Sequence, residues 1–232
     1  MNRQFLHLGY VALMLCVLFT ACKKADVTAT ATDPQLTFAL MPDNFAYTFT
    51  ATTSVKPTFT WTAGIANITR FRLNAKRGGV AAEYSSANLN NVDLFNLGSL
   101  LSTISIPKGD YNGVKAAVVF SQTTAAPYPL VLSGTFTTAA GTAIPVEFDL
   151  NDNLEISVGV SDIIADGTKD FTTNIALHLN QFIIGIAPAD LDAATRTNGA
   201  ILISRTVNTT LYAKIKANML LCGAAALSSK AK

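Results

Sequence analysis

Ile144-Pro145-Val146-Glu147-Phe148-Asp149-Leu150, then Asn151-Asp152-Asn153, then Leu154-Glu155-Ile156-Ser157-Val158-Gly159-Val160 is the stretch that decides the fold class. Ile144, Val146, Phe148 and Leu150 fall on one side of a period of two, with Pro145, Glu147 and Asp149 on the other. The second run repeats the alternation, so two half-buried β-strands are expected. The polar triplet between them reads as the turn of a β-hairpin. Pro145 cannot donate to a ladder, which assigns its strand to an edge or makes Pro145 part of a strand beginning.

Outward from this pair the same period recurs. Phe45, Tyr47 and Phe49 alternate with Ala46, Thr48 and Thr50, and Phe59 and Trp61 alternate with Thr58, Thr60 and Thr62. Phe71, Leu73 and Ala75 oppose Arg70, Arg72, Asn74 and Lys76. Val114 to Phe120, Leu130 to Thr138, Thr172 to Leu179, Ile201 to Ile203 and Thr209 to Leu220 read as further strands. Aromatic and β-branched residues in alternation are strand chemistry. The period breaks where Leu179, Phe182, Ile183 and Ile186 take helical spacing and Pro188 opens Ala189-Asp190-Leu191. One or two short helices are therefore expected near 179–195. Nine to eleven strands with short turns predict an all-β, two-layer antiparallel sandwich.

The chain has 232 residues, 50% hydrophobic and 14% charged, with a net charge of +2 and a mean hydropathy of +0.34. That composition excludes intrinsic disorder. Seventeen basic residues against fifteen acidic ones leave no clustered excess for phosphate neutralisation, so no nucleic-acid partner is expected.

At the N-terminus, Arg3 precedes an apolar run from Leu8 to Phe19 that ends in Thr20-Ala21-Cys22. The layout is that of a helical signal peptide over 1–21, too short for a spanning helix of about 20 residues. Leu18-Phe19-Thr20-Ala21-Cys22 resembles the lipobox of bacterial lipoproteins, although Phe19 stands where an aliphatic or small residue is usual. The resemblance implies lipidation of Cys22 and membrane attachment through that lipid. Lys23, in place of an aspartate, implies sorting to the outer membrane. Residues 22–34 read as a flexible tether, 35–222 as the sandwich domain and 223–232 as a C-terminal tail.

Cysteine and histidine counts narrow the chemistry. With Cys16 in the signal and Cys22 lipidated, Cys222 has no disulfide partner and, in the apolar run Leu220-Leu221-Cys222-Gly223-Ala224, reads as a small hydrophobe. His7 lies in the signal, and His178 reads as an exposed, unpartnered residue on a polar strand face, with a catalytic base as the alternative. Neither HExxH nor CxxC spacing occurs, so no zinc site and no cofactor is expected. Asp149-Leu150-Asn151-Asp152-Asn153 matches the start of an EF-hand loop, but Leu154 stands where Gly is needed and Val160 where Glu is needed. Asp162, Asp166 and Asp170 are candidate calcium ligands; turn-forming aspartates around Gly167 account for the same pattern. Glu83, Asp93, Glu147 and Glu155 supply carboxylates for glycoside hydrolysis only if two of them converge.

Candidate ligand contacts are the aromatics Tyr47, Phe49, Phe59 and Trp61, as a sugar platform or as core, and Tyr128 between Pro127 and Pro129. Arg70, Arg72, Lys76, Lys214 and Lys216 would form a cationic stripe if their strands are neighbours. The expected role is a non-catalytic binding or structural module with a glycan or protein ligand. One alternative is a pilin-like subunit exchanging the strand Thr209 to Leu220. A second is a polysaccharide-binding or polysaccharide-degrading accessory protein.

Trp61 to Ile68, Val92-Asp93-Leu94, Ile106-Pro107-Lys108-Gly109-Asp110-Tyr111, Ile144-Pro145-Val146, Gly199 to Ser204 and Asn208 to Tyr212 together resemble a group of uncharacterised Gram-negative outer-membrane lipoproteins. The Pro-x-Gly-x-Tyr piece is similar to the strand entry of a domain-of-unknown-function family with transthyretin-like or Ig-like, Greek-key β-sandwiches. The resemblance implies location and fold, and carries no catalytic residue.

Overall fold

The computed structural model describes residues 32–51, 54–97 and 101–232. The expected signal segment, Cys22 and most of the expected tether lie outside the described residues. The chain is an all-β sandwich, with 55% of it in strands and 11% in helix.

Three sheets build it. The first has the order β16 (Gly223–Ala231), β13 (Lys169–His178), β1 (Gln35–Asp43), β7 (Ser102–Ser105). The second runs β14 (Arg196–Thr197), β15 (Ala200–Ile203), β10 (Ala143–Leu150), β9 (Leu130–Thr137), β3 (Thr58–Ile68), β2 (Ala46–Thr48), with β6 (Leu89–Asp93) also on β3. The third runs β11 (Leu154–Gly159), β8 (Gly109–Phe120), β4 (Arg70–Arg77), β5 (Val80–Ser85), with β12 (Ile163–Ala165) also on β8. A 3-10 turn over Leu179–Ile183 and the helix α1 (Pro188–Asp192) fall where the broken period predicts them.

The core is continuous between layers. Phe38 of the four-stranded sheet stacks on Phe71 of the five-stranded sheet at 5.2 Å between ring centroids. Beside them β16 lies so close to β11 that a Cβ on Gly223 would stand 2.9 Å from Ile156 and Val158. The seven-stranded sheet is covered by helices: Trp61 meets Phe182 edge-on, and Phe148 packs on Tyr212 of the helix α2 (Thr209–Met219).

Four expectations are corrected. The Ile144–Leu150 and Leu154–Val160 runs are strands but not a hairpin: β10 pairs with β9 and β15, whereas β11 pairs with β8 in another sheet. The chain crosses directly between these two sheets four times, at β3–β4, β5–β6, β8–β9 and β10–β11, and Asn151-Asp152-Asn153 is one of the crossings. Thr209 to Leu220 is not a strand; it forms α2 with Leu211, Tyr212, Ile215 and Met219 buried at helical spacing. The strand that a pilin-like exchange would use is therefore absent. Gly223–Ala231 is not a tail but β16, paired to β13 from Gly223↔Leu177 to Ala231↔Lys169. The sheets are also not wholly antiparallel, since β1–β13 and β10–β15 are parallel pairs.

β10 is an interior strand and not an edge, but Pro145 precedes its first pair with β15, Val146↔Ile201, so the missing N–H breaks no ladder on that side.

Candidate functional site

The parallel pair β10 and β15 ends on one side of the seven-stranded sheet, and the loops leaving both strands meet there. On β10, Val146, Phe148 and Leu150 enter the core, which turns Glu147 and Asp149 to the opposite face. On the other strand, Ile203 is followed by Ser204-Arg205-Thr206-Val207-Asn208 and then α2. Ser204 Oγ accepts the N–H groups of Val207 at 3.1 Å and Thr206 at 3.3 Å. Asn208 takes the left-handed conformation at φ 51° and donates to the carbonyls of Leu202 at 2.7 Å and Thr195 at 2.9 Å. These bonds fix a tight loop with Arg205 near its tip.

Tyr128 arrives from the crossing before β9. Asn67 donates to its carbonyl at 2.7 Å, and the Asn67 N–H donates to the Pro129 carbonyl at 2.8 Å, which pins the Pro-Tyr-Pro segment to β3. Asn151, at the other crossing, accepts the Thr123 N–H at 2.8 Å and donates back to the Thr123 carbonyl at 3.1 Å. Together these segments enclose a cleft of ≈ 390 Å³ lined by Tyr128, Asp149, Asn151, Leu202, Ser204, Arg205 and Thr206. Its size is within the range of small-ligand sites. A larger hollow of ≈ 510 Å³ between β1 and the chain after β6 has an apolar lining in which Asn174 is the polar member.

Two carboxyls dominate the electrostatics. Asp149 is pushed up to about 6 by burial first and by the neighbouring Glu147 carboxyl second. Its Oδ1 is shielded from solvent and receives no hydrogen bond. Glu147 is within hydrogen-bonding reach, yet two ionised carboxylates have no proton to share.

Asp152, three residues on, has the opposite surroundings. Burial raises its pKa, but hydrogen bonds from Lys216 and Tyr212 outweigh that and hold it below the usual carboxylate range. Tyr212 Oη donates at 2.8 Å and Lys216 Nζ at 2.7 Å, from adjacent turns of α2. Arg205 Nε lies 3.5 Å from Asp152 Oδ1, and Arg205 Nη1 donates to the Asn151 carbonyl at 3.2 Å.

Of the candidate ligand residues, Tyr128 alone lines this cleft. Phe49, Phe59 and Trp61 are buried and Tyr47 is half-buried; Trp61 Nε1 donates to the Leu179 carbonyl at 3.1 Å. Core, not platform, is their place. The cationic stripe is not formed: Arg70, Arg72 and Lys76 lie on β4, whereas Lys214 and Lys216 lie on α2. Lys214 pairs with Asp190 at 2.8 Å, and Arg72 is bound by Glu155 and faces Glu83 at 4.0 Å.

Asp162, Asp166 and Asp170 are not brought together. Asp162 accepts the Gly113 N–H at 2.9 Å, Asp166 the Thr168 N–H at 2.8 Å, and Asp170 the Gln35 N–H at 2.8 Å. No cluster of three His, Cys, Asp or Glu able to hold a metal occurs among the described residues. Asp93 caps its own turn through the Phe95 N–H at 2.9 Å.

His178 is not unpartnered, because the parallel register sets it opposite Asp43, whose Oδ1 lies 2.5 Å from Nδ1. Cys222 is buried, donates to the Met219 carbonyl at 3.1 Å, and has its thiol pushed up to about 12 by burial. A thiol so protonated is not a nucleophile at neutral pH.

Sequence reasoning missed Asp149 and Arg205. The signal for Asp149 was present, since residues two apart on a strand share a face and Glu147 and Asp149 are such a pair. Nothing local marks Arg205, which reaches the cleft only through the β10–β15 pairing. Comparison of the chain with protein-family models, with curated proteins and with solved structures finds no match.

Proposed function

We propose that this chain is a lipid-anchored protein of the Gram-negative outer membrane whose β-sandwich is a binding module. The observation that carries the binding role is Asp149, a carboxylate left without a donor beside a second carboxylate in a formed cleft. Such an arrangement lowers stability, and groups kept at that cost cluster where ligands bind. Glu147 and Asp149 sit two residues apart on the same face of one strand, side by side rather than opposed across a cleft as the two acids of a glycosidase are. Glu83 and Glu155 both face Arg72, which keeps them charge-paired. Both facts favour binding over hydrolysis.

The lipobox-like Leu18-Phe19-Thr20-Ala21-Cys22 supports the anchor. Several acyl chains, each methylene contributing about 0.8 kcal/mol, hold a protein at a bilayer. Cells fed labelled palmitate are expected to label the wild-type chain and leave Cys22→Ala unlabelled and released from the membrane fraction. Equal labelling of both would remove the anchor.

The cost at Asp149 has a sign that can be measured. Its folded pKa of about 6 stands above the ordinary 3.8, so the folded state binds the proton more tightly. The associated stability is fully present below about pH 4 and is lost as pH rises through about 6. Allowing for its half-exposed position, Asp149→Asn is expected to gain about 1 kcal/mol at pH 8 and nothing at pH 3.5, read by urea denaturation. A destabilised Asn variant at pH 8 would show that Asp149 has a donor after all.

A further inference from the structure

We infer that the cleft between Tyr128, Asp149 and Arg205 is a subsite for an uncharged sugar. The inference rests on the reading of the sandwich as a binding module and names what it binds.

Charge sets the first limit. Arg205 and Lys216 share the single Asp152 carboxylate, and Glu147 and Asp149 bring the local count to three carboxyls against two cations, so the cleft offers no net positive charge to an anionic ligand. Asp149 and Glu147 would repel such a ligand directly. A cation suits the two carboxyls but must share the cleft with the Arg205 guanidinium. A neutral ligand meets neither penalty.

Hydrogen-bonding capacity sets the second. The Asp149 carboxylate accepts only, while Arg205 Nη2, with no partner among the described residues, donates only. Ser204 Oγ, which already accepts two backbone N–H groups, keeps its O–H to donate, and Thr206 adds a second hydroxyl 3.4 Å from it. A ligand that both donates and accepts at adjacent positions matches this lining, and vicinal hydroxyls on a sugar ring do so. The third limit is shape: Tyr128 and Leu202 provide apolar surface for the C–H face of a pyranose. Tyr128 is held in place by Asn67 through backbone bonds and its ring is free of any such tether, so stacking costs the loop little reordering.

The test titrates the full chain, in a sugar-free detergent, with cellotriose, maltotriose, laminaritriose and mannotriose as neutral probes. Trigalacturonate and the glucosamine trimer serve as the anionic and cationic ones. At least one neutral trisaccharide is expected to bind, with neither charged trimer binding more tightly. Tyr128→Ala and Asp149→Asn are each expected to weaken it about tenfold or more. Because Asp149→Asn should gain stability at neutral pH and above, its loss of affinity cannot come from unfolding. Tighter binding of a charged trimer, binding untouched by both substitutions, or silence across all six probes overturns the assignment. Palmitate labelling that depends on Cys22 would leave the anchored reading standing in each of those cases, and its absence would remove that reading whatever the sugars do.

Discussion

Trp61→Ala is expected to lower stability by about 4 kcal/mol, which for a chain of this size lowers the Tm by roughly 8–16 °C. The side chain is buried at the centre of β3, edge-on to Phe59 at 4.6 Å and to Phe182 at 6.4 Å. Its truncation leaves a large cavity between the seven-stranded sheet and the 3-10 turn that covers it. It also strands the Leu179 carbonyl, which accepts from Nε1 at 3.1 Å. Trp61→Phe separates the two effects, because it keeps most of the volume and loses only the donor, for about 1–2 kcal/mol. Circular dichroism must follow the unfolding, since Trp61 is the chain's single tryptophan. A Trp61→Ala protein as stable as wild type would return this ring to the surface and with it the aromatic-platform reading.

Trp61 also shows which inferences periodicity supports. Alternation with threonine states that the ring lies on one face of a strand, and the core is where the structure has it. Alternation says nothing about which strand lies alongside. Ile144–Leu150 and Leu154–Val160 carry the right faces, yet the polar triplet between them that suits a hairpin equally suits a crossing between sheets. The choice is made by β9 and β8, which are distant in sequence.

The helix α2 fails for a different reason. Leu211, Ala213, Ile215, Ala217 and Met219 alternate as apolar residues, but alanine is small enough to sit in water and is the best helix former. Ala213 and Ala217 are exposed, and the residue that decides is Tyr212, assigned by alternation to the polar face and in fact buried. Strand β16 carries too little signal of any kind: Gly, Ala and Ser give no faces, and it is a strand because β13 offers an edge. Of the cleft, the Glu147–Asp149 face was legible two residues at a time. The meeting of Tyr128, Asp149 and Arg205 depends on the sheet order and was not.

Asp152→Ala is expected to cost about 3 kcal/mol, because one carboxylate with 16% of its side chain exposed serves three donors. Tyr212 Oη and Lys216 Nζ bind α2 to the β10–β11 crossing through it. Without it the Tyr212 hydroxyl, on a buried ring that packs against Phe148 at 5.7 Å, keeps only the Asn151 N–H. The pH dependence is opposite to that of Asp149. A carboxylate held below its unfolded value of 3.8 contributes stability that is present above about pH 4 and lost as pH falls through the depressed folded value. The difference between wild type and Asp152→Ala should therefore be constant from about pH 5 to 8 and shrink in stronger acid, as urea denaturation at a series of pH values would read. A difference that grows as pH falls would mean that Lys216 and Arg205, not Asp152, hold the crossing. Arg205 gives the two acids a shared consequence. Removing Asp152 takes away one of the two groups that hold the guanidinium, so the cleft wall loosens and sugar affinity falls together with stability. Asp149→Asn, three residues earlier, should lower affinity while stability rises. A protein that loses sugar in both variants but moves in opposite directions in urea has a binding site at Asp149 and a structural clamp at Asp152.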